Sequence, residues 1–189
     1  LRSPHRRPRA ARWRRSAHRP RRAPARDFRD WHMDQPVDVV VSLGMIEHIG
    51  SENYDAYAET ISRSLKPGGR AIIQTINAKP WNNPSVRSKK IQPHDSFVMK
   101  YIFPGSQIPN LDWIYESFSK DFKHIHTETF GRDYAKTTRA WRLNLRKYQT
   151  EHNDLPEHEV RKFEYYLAWC EAAFNNEYIH LSQLVFEKN

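Results

Sequence analysis

The stretch VDVVVSLG, Val37 to Gly44, constrains this chain more than any other. Five of the seven residues from Val37 to Leu43 are valine or leucine. Side chains of that kind suit a pleated surface, so the run predicts a short strand, and its near-continuous apolarity predicts cover on both faces. Beyond it, Tyr54, Tyr57, Ala58, Ile61 and Leu65 recur at helical spacing, and KPGG (Lys66 to Gly69) stops that helix. RAIIQTI, Arg70 to Ile76, then reads as a second buried strand. Strand, helix and strand at this spacing form a right-handed parallel βαβ unit.

Residues 77–110 break the rhythm with five prolines, too long an interruption for an idle connection, so a lid or binding loop is expected there. Leu111, Ile114, Tyr115 and Phe118 read as a helix, and FKHIHTETF (Phe122 to Phe130) as an alternating strand. Two aromatic-rich helices follow, near Tyr134 to Thr150 and Pro156 to Asn175, and Tyr178 to Lys188 is a last strand. No internal repeat is present. The expected fold is therefore α/β: the second half of a doubly wound, Rossmann-like sheet carrying helical lid insertions. The first half of such a sheet, with its glycine-rich cofactor loop, has no counterpart here, so the N-terminal strands are expected to be missing.

Charge divides the chain in two. The formal net charge is +9, yet residues 1–26 hold eleven arginines and no acid, and the remainder sets twenty Lys and Arg against twenty-two Asp and Glu. Residues 1–26 are expected to be a tail and 27–189 the folded unit. Three readings of the tail stay open: an arm that neutralises nucleic-acid phosphates, a disordered Arg/Ala/Pro tract, or a product of out-of-frame translation, since all three residue types have GC-rich codons. A single cysteine rules out an internal disulfide and fits a reducing compartment. No apolar run reaches membrane-spanning length and no secretory h-region follows the basic start, so a cytoplasmic protein is expected. The histidines show no zinc-site spacing, and no metal is expected.

Longer motifs go further. VVSLGMIEHIG, NYDAY, LKPGGRAIIQTI, SFVMKYIFPGSQIP, FGRDYAKTTRAW and FEYYLAWCEAAF, in this order, resemble the cyclopropane-fatty-acyl-phospholipid and mycolic acid cyclopropane synthases from about Asp27 to the end. LKPGG alone would indicate only some class I methyltransferase. The resemblance implies the C-terminal part of such a fold, with S-adenosyl-L-methionine as methyl donor and the cis double bond of an unsaturated acyl chain as acceptor. Methyl transfer, loss of a proton and ring closure (or a methyl branch) would follow. An alkene is a weak nucleophile and its cation is quenched by water, so the chemistry needs a dry pocket, an in-line donor and a nearby base.

The family supplies that base as bound bicarbonate, which places the expected site residues. Glu47 takes the place of the family glutamate, at the strand end where open α/β sheets put their sites; a capping or surface glutamate is the plain alternative. Tyr134 matches the family tyrosine, whose phenol donates to an anion and whose ring faces a cation; a helix-start aromatic anchor is the alternative. Cys170 matches the family cysteine, although its stripe (Phe163, Tyr166, Leu167, Cys170, Phe174) reads most simply as core. The expected histidine is Gln74, which hydrogen-bonds but carries no charge, and the family's N-terminal cysteine has no counterpart. His48 is assigned to packing. On the cofactor side, Asp27 and Phe28 resemble the segment that contacts adenine, and Gly44 allows close approach. Tyr101, Ile102, Phe103 and Ile108 resemble the acyl channel. Lys89, Lys90 and Lys100 would meet anionic headgroups at the inner membrane face. The resemblance leaves a homo-oligomer open and makes nucleic acid an unexpected partner. Two rivals remain: a fragment without donor affinity, and a nucleic-acid binder acting through residues 1–26.

Overall fold

The computed structural model describes residues 27–78 and 93–189, except for the side chains of residues 93–96. Residues 1–26, Lys89 and Lys90 lie outside the described residues, and so do the expectations attached to them. In chain order the elements are β1 (Val37–Leu43), α1 (Tyr54–Ser64), β2 (Leu65–Asn77), α2 (Pro93–Tyr101), α3 (Leu111–Phe118), β3 (Phe122–Thr129), α4 (Gly131–His152), α5 (Glu157–Asn175) and β4 (His180–Lys188). Short 3-10 turns stand at Phe28–Asp30, Ile46–His48 and Ser51–Asn53.

The four strands form one mixed sheet in the order β1-β2-β4-β3. β1 and β2 are parallel, as the strand–helix–strand pattern requires, while β4 runs antiparallel to both β2 and β3. Two boundaries move. The helix ends at Ser64, and KPGG is carried inside β2, where the register jumps from Val37–Leu65 to Val39–Arg70. Inside the 77–110 segment, Pro93 opens α2; proline suits a first helical turn, where its missing N–H would have no partner.

Alternation along β2 sorts the two faces. Ala71, Ile73, Thr75 and Asn77 are buried toward one side; Ile72, Gln74 and Ile76 point to the other. The first side packs against α1 and α3, where Tyr57, Ile61, Ile114 and Phe118 meet Leu184 and Phe186. Phe118 stacks on Phe186 at 4.5 Å and tilts toward Phe122 at 5.2 Å. Each such ring contributes about 1.5–3 kcal/mol by leaving water. The second side is covered only toward the end of β2, by α4 and α5, through Ile76, Leu181, Cys170, Phe174 and Tyr134. That partial cover overturns one expectation. Val39, Val41 and Leu43 are 49%, 57% and 60% exposed, so β1 is buried on one face, not both. β3 departs from its alternating pattern too: most of it is exposed, as an edge strand with a single partner can be.

Candidate functional site

Glu47 stands in the 3-10 turn that follows β1, a little beyond the carboxyl end of the strand. Gly44 makes the turn, at φ +63, and donates its N–H to the Gln74 carbonyl at 2.9 Å. The Glu47 carboxylate is buried. Its Oε1 accepts the Ile76 backbone N–H at 2.7 Å, and its own carbonyl accepts from Gln107 N–H at 2.8 Å. The second oxygen, Oε2, is buried with no partner among the described residues. A desolvated carboxylate oxygen without a donor costs about 1–3 kcal/mol or more, so this atom marks a place for a guest that can donate to it.

The groups near it are neutral donors. Burial pushes the Tyr134 phenol up, and the charges of Cys170 and Glu47 add to the shift, so Tyr134 lies within electrostatic reach of both. Burial likewise pushes the Cys170 thiol up to about 12, partly offset by its hydrogen bond with Tyr166. Tyr166 is raised by its own burial first, then by Cys170 and Tyr134. All three keep their protons at neutral pH. A carboxylate acceptor with the Tyr134 phenol in electrostatic reach, and with Cys170 and Tyr166 in reach of Tyr134 in turn, suits a small oxyanion that has one O–H to give and other oxygens to receive. Gln74 faces the same side of β2 as Ile76. Its Oε1 accepts from Gln183 Nε2 at 2.8 Å, which leaves the Gln74 amide NH2 as its donor face.

The remaining predicted residues fall into place unevenly. Phe28 meets Tyr57 edge-on at 5.8 Å and, with Asp27, Trp31, Val40 and Met45, lines a largely apolar cavity of about 400 Å³ beside β1. Asp27 is already engaged: its carboxylate takes three hydrogen bonds from Arg29 (backbone, Nε and Nη2), and these hold its pKa down at about 2. Phe103 packs edge-on against Tyr166 (5.9 Å) and His48 (5.4 Å), and Ile108 joins the cluster that holds Tyr134. Tyr101 turns away toward Phe97, which in turn meets Tyr165 on α5. Lys100 is exposed and its Nζ lies 5.1 Å from the Tyr101 ring. Sequence reasoning missed Tyr166 as a site wall, although it lies one helical turn before Cys170 on the same stripe. It also missed Tyr54, whose buried hydroxyl has no partner among the described residues and whose phenol is raised by burial and then by Glu47. Among the described residues no cluster of His, Cys, Asp or Glu could hold a metal ion.

A profile of the family described as mycolic acid cyclopropane synthetase matches residues 9–184. The chain is 34% identical over 163 residues to the cyclopropane-fatty-acyl-phospholipid synthase of Escherichia coli K12, covering 86% of this chain and 40% of that protein. It is 29% identical over 164 residues to cyclopropane mycolic acid synthase 1 of Mycobacterium tuberculosis, covering 82% of this chain and 56% of that one. Among solved structures, the mycolic acid cyclopropane synthase CmaA1 complexed with SAH and CTAB superposes with a TM-score of 0.73 at 27% identity, covering 85% and 58% of the two chains. The fold is thus that of an α/β class I methyltransferase, matched in part: the chain spans about half the length of the curated relatives.

Proposed function

The chain belongs to the mycolic acid cyclopropane synthetase family, and on that footing we propose that it serves S-adenosylmethionine-dependent cyclopropanation of the cis double bond in a phospholipid acyl chain. The observation that carries this reading is the buried Oε2 of Glu47, unpartnered among the described residues, with the Tyr134 phenol within electrostatic reach of both Glu47 and Cys170. These residues fit bicarbonate. Oε2 would accept its O–H, while the Tyr134 hydroxyl, the Cys170 thiol and the Gln74 amide would donate to its remaining oxygens. The cavity lined by Phe28 and Met45 fits the adenine end of the methyl donor by ring packing. Asp27, held by Arg29, has little capacity left for it.

When bound, the donor would supply an electrophilic sulfonium methyl and bicarbonate would supply a base. The chain's own residues do the rest. Tyr134 and Tyr166 present aromatic faces that stabilise a cation on the acyl chain. Phe103, Ile108 and Tyr166 keep water from it. Glu47, Tyr134, Cys170 and Gln74 would hold the base toward the new methyl group, so that loss of its proton leaves the C–H electron pair to close the ring. Gln74, which stays neutral, contributes position and no proton.

Glu47→Gln should keep the Ile76 hydrogen bond but remove the acceptor charge, and ring formation on unsaturated phosphatidylethanolamine should fall at least about a hundredfold. Unchanged turnover would remove Glu47 from the reaction. A second reading, a unit that cannot hold the donor alone, is favoured by one observation: Val39, Val41 and Leu43 of β1 are exposed, and among the described residues β1 has no second strand beside it. Calorimetric titration with S-adenosylhomocysteine separates the two. Micromolar binding supports the enzyme reading, and no heat supports the incomplete unit.

A further inference from the structure

The helical hairpin α4–α5 carries an apolar stripe that the site does not use up. Tyr134, Trp141 and Tyr148 follow one another at seven-residue intervals on α4, two turns apart, so they share one side of the helix. Tyr134 is the site wall; Trp141 meets it edge-on at 5.9 Å. Further along, Trp141 is 48% and Tyr148 41% exposed, and Leu155 at the turn between the helices is exposed too. Tyr148 stacks on His152 at 4.2 Å, so the tip presents a flat aromatic surface.

The rest of α4 is basic. Six Lys and Arg stand against two acids, and Arg132, Lys136, Arg139 and Lys147 are all exposed. Several are paired: Arg139 and Arg142 with Glu171, Arg146 with Glu164, Lys136 with Asp133. Ion pairs as exposed as Lys136–Asp133 contribute little, so such cations are free to exchange a carboxylate for another anion. An α-helix with Trp and Tyr on one side and Lys and Arg on the other is the pattern of a helix lying in the plane of a bilayer interface. No helix among the described residues is long and apolar enough to cross a membrane.

We propose that the α4–α5 hairpin is a docking element for an anionic lipid bilayer, with Trp141, Tyr148 and Leu155 seated in the interface and the α4 cations against headgroups. Edge-on contact between Trp141 and Tyr134 then makes the docked face continuous with the site, so an acyl chain would pass from bilayer to Tyr134 along one apolar surface. The choice of lipid rests on the acyl-phospholipid reading, but the test contains no methyl donor, so failure of docking and failure of catalysis remain distinguishable.

Cys170 is the sole cysteine and is 3% exposed, which allows a surface probe to be placed without competition. Leu155→Cys labelled with nitrobenzoxadiazole should shift to the blue and brighten on phosphatidylglycerol vesicles. It should stay unchanged on phosphatidylcholine vesicles, as should a label at Ser119→Cys, at the end of α3, on phosphatidylglycerol. In vesicle sedimentation at raised salt, Trp141→Ala with Tyr148→Ala should weaken binding about a hundredfold, about tenfold for each aromatic ring withdrawn from the interface. Three results would overturn the proposal. One is a protein that sediments with anionic vesicles while the label at position 155 stays unshifted, since residues 1–26 alone would then account for binding. The others are equal shifts at positions 155 and 119, and no sedimentation at all.

Discussion

Cys170 has a pH signature that follows from its burial. Its thiol is held at about 12 in the folded chain, against 9.0 for an ordinary thiol. Below pH 9 both folded and unfolded chains keep the proton, and the contribution to stability is complete. As pH rises from 9 toward 12 the unfolded chain binds fewer protons than the folded one, so stability falls. Integrated over that window, the loss is on the order of a few kcal/mol. Tyr57, pushed up to about 12, acts with the same sign but from its ordinary value of 10.0 upward. Urea midpoints should therefore begin to drop between pH 9 and 10, and Cys170→Ala should flatten that early part of the slope; a slope that survives the substitution would assign it to other groups. Read from its stripe alone, Cys170 is core; Glu47, Tyr134 and Cys170 could be picked as site candidates only from the resemblance of their motifs to the family. The Ile76 N–H that holds Glu47 could not, because a backbone donor leaves no mark in side-chain pattern. Nor could Gln183, whose pairing with Gln74 arises only when β4 lies against β2.

Between Val37–Leu65 and Val39–Arg70, β1 advances two residues while β2 advances five, so the four residues of KPGG stand opposite Asp38 alone. The second glycine of KPGG is needed for space. A Cβ on Gly69 would stand 2.8 Å from the Lys66 carbonyl oxygen and 3.2 Å from that of Asp38, both backbone atoms with little freedom to move. Gly44 presents the opposite case, with φ +63 and nothing within 4 Å of its Cβ position. Gly69→Ala should cost about 1–3 kcal/mol by overpacking, whereas Gly44→Ala should cost only the left-handed conformation, about 1–2 kcal/mol. Both are measurable by urea unfolding, and a Gly69→Ala variant as stable as the parent would contradict the close approach. Sequence pattern located every strand and the long helices, since periodicity survives in α4, α5 and β2. It misplaced their ends because several caps give no side-chain signal. Phe130 and Pro156, which precede α4 and α5, make no capping side-chain bond. α2 escaped for a related reason: five prolines in residues 77–110 mask a helix that starts at one of them.

In the sheet order β1-β2-β4-β3, β1 has one hydrogen-bonded neighbour among the described residues, and none of them pairs with its far edge. On the side away from α1, Val39, Val41 and Leu43 form an exposed row in register with Arg70, Ile72 and Gln74. This is where the sequence misled in substance. Near-continuous apolarity signals the strand but not its cover: Val40 and Ser42 are half-buried, while Val39, Val41 and Leu43 are exposed. A bare apolar edge strand is a template for pairing with another chain. Pairing through it would bury both the backbone edge and the valine row, a larger gain than either alone. The whole chain should therefore self-associate as its concentration rises, and sedimentation velocity over a tenfold concentration range should register this as an increasing weight-average coefficient. Val41→Lys places a charge in the middle of the row, at an exposed residue outside both core clusters. It should suppress the concentration dependence while leaving far-ultraviolet circular dichroism unchanged. Self-association that persists in Val41→Lys would move the contact to another surface, with the α4–α5 hairpin next in exposed aromatic area.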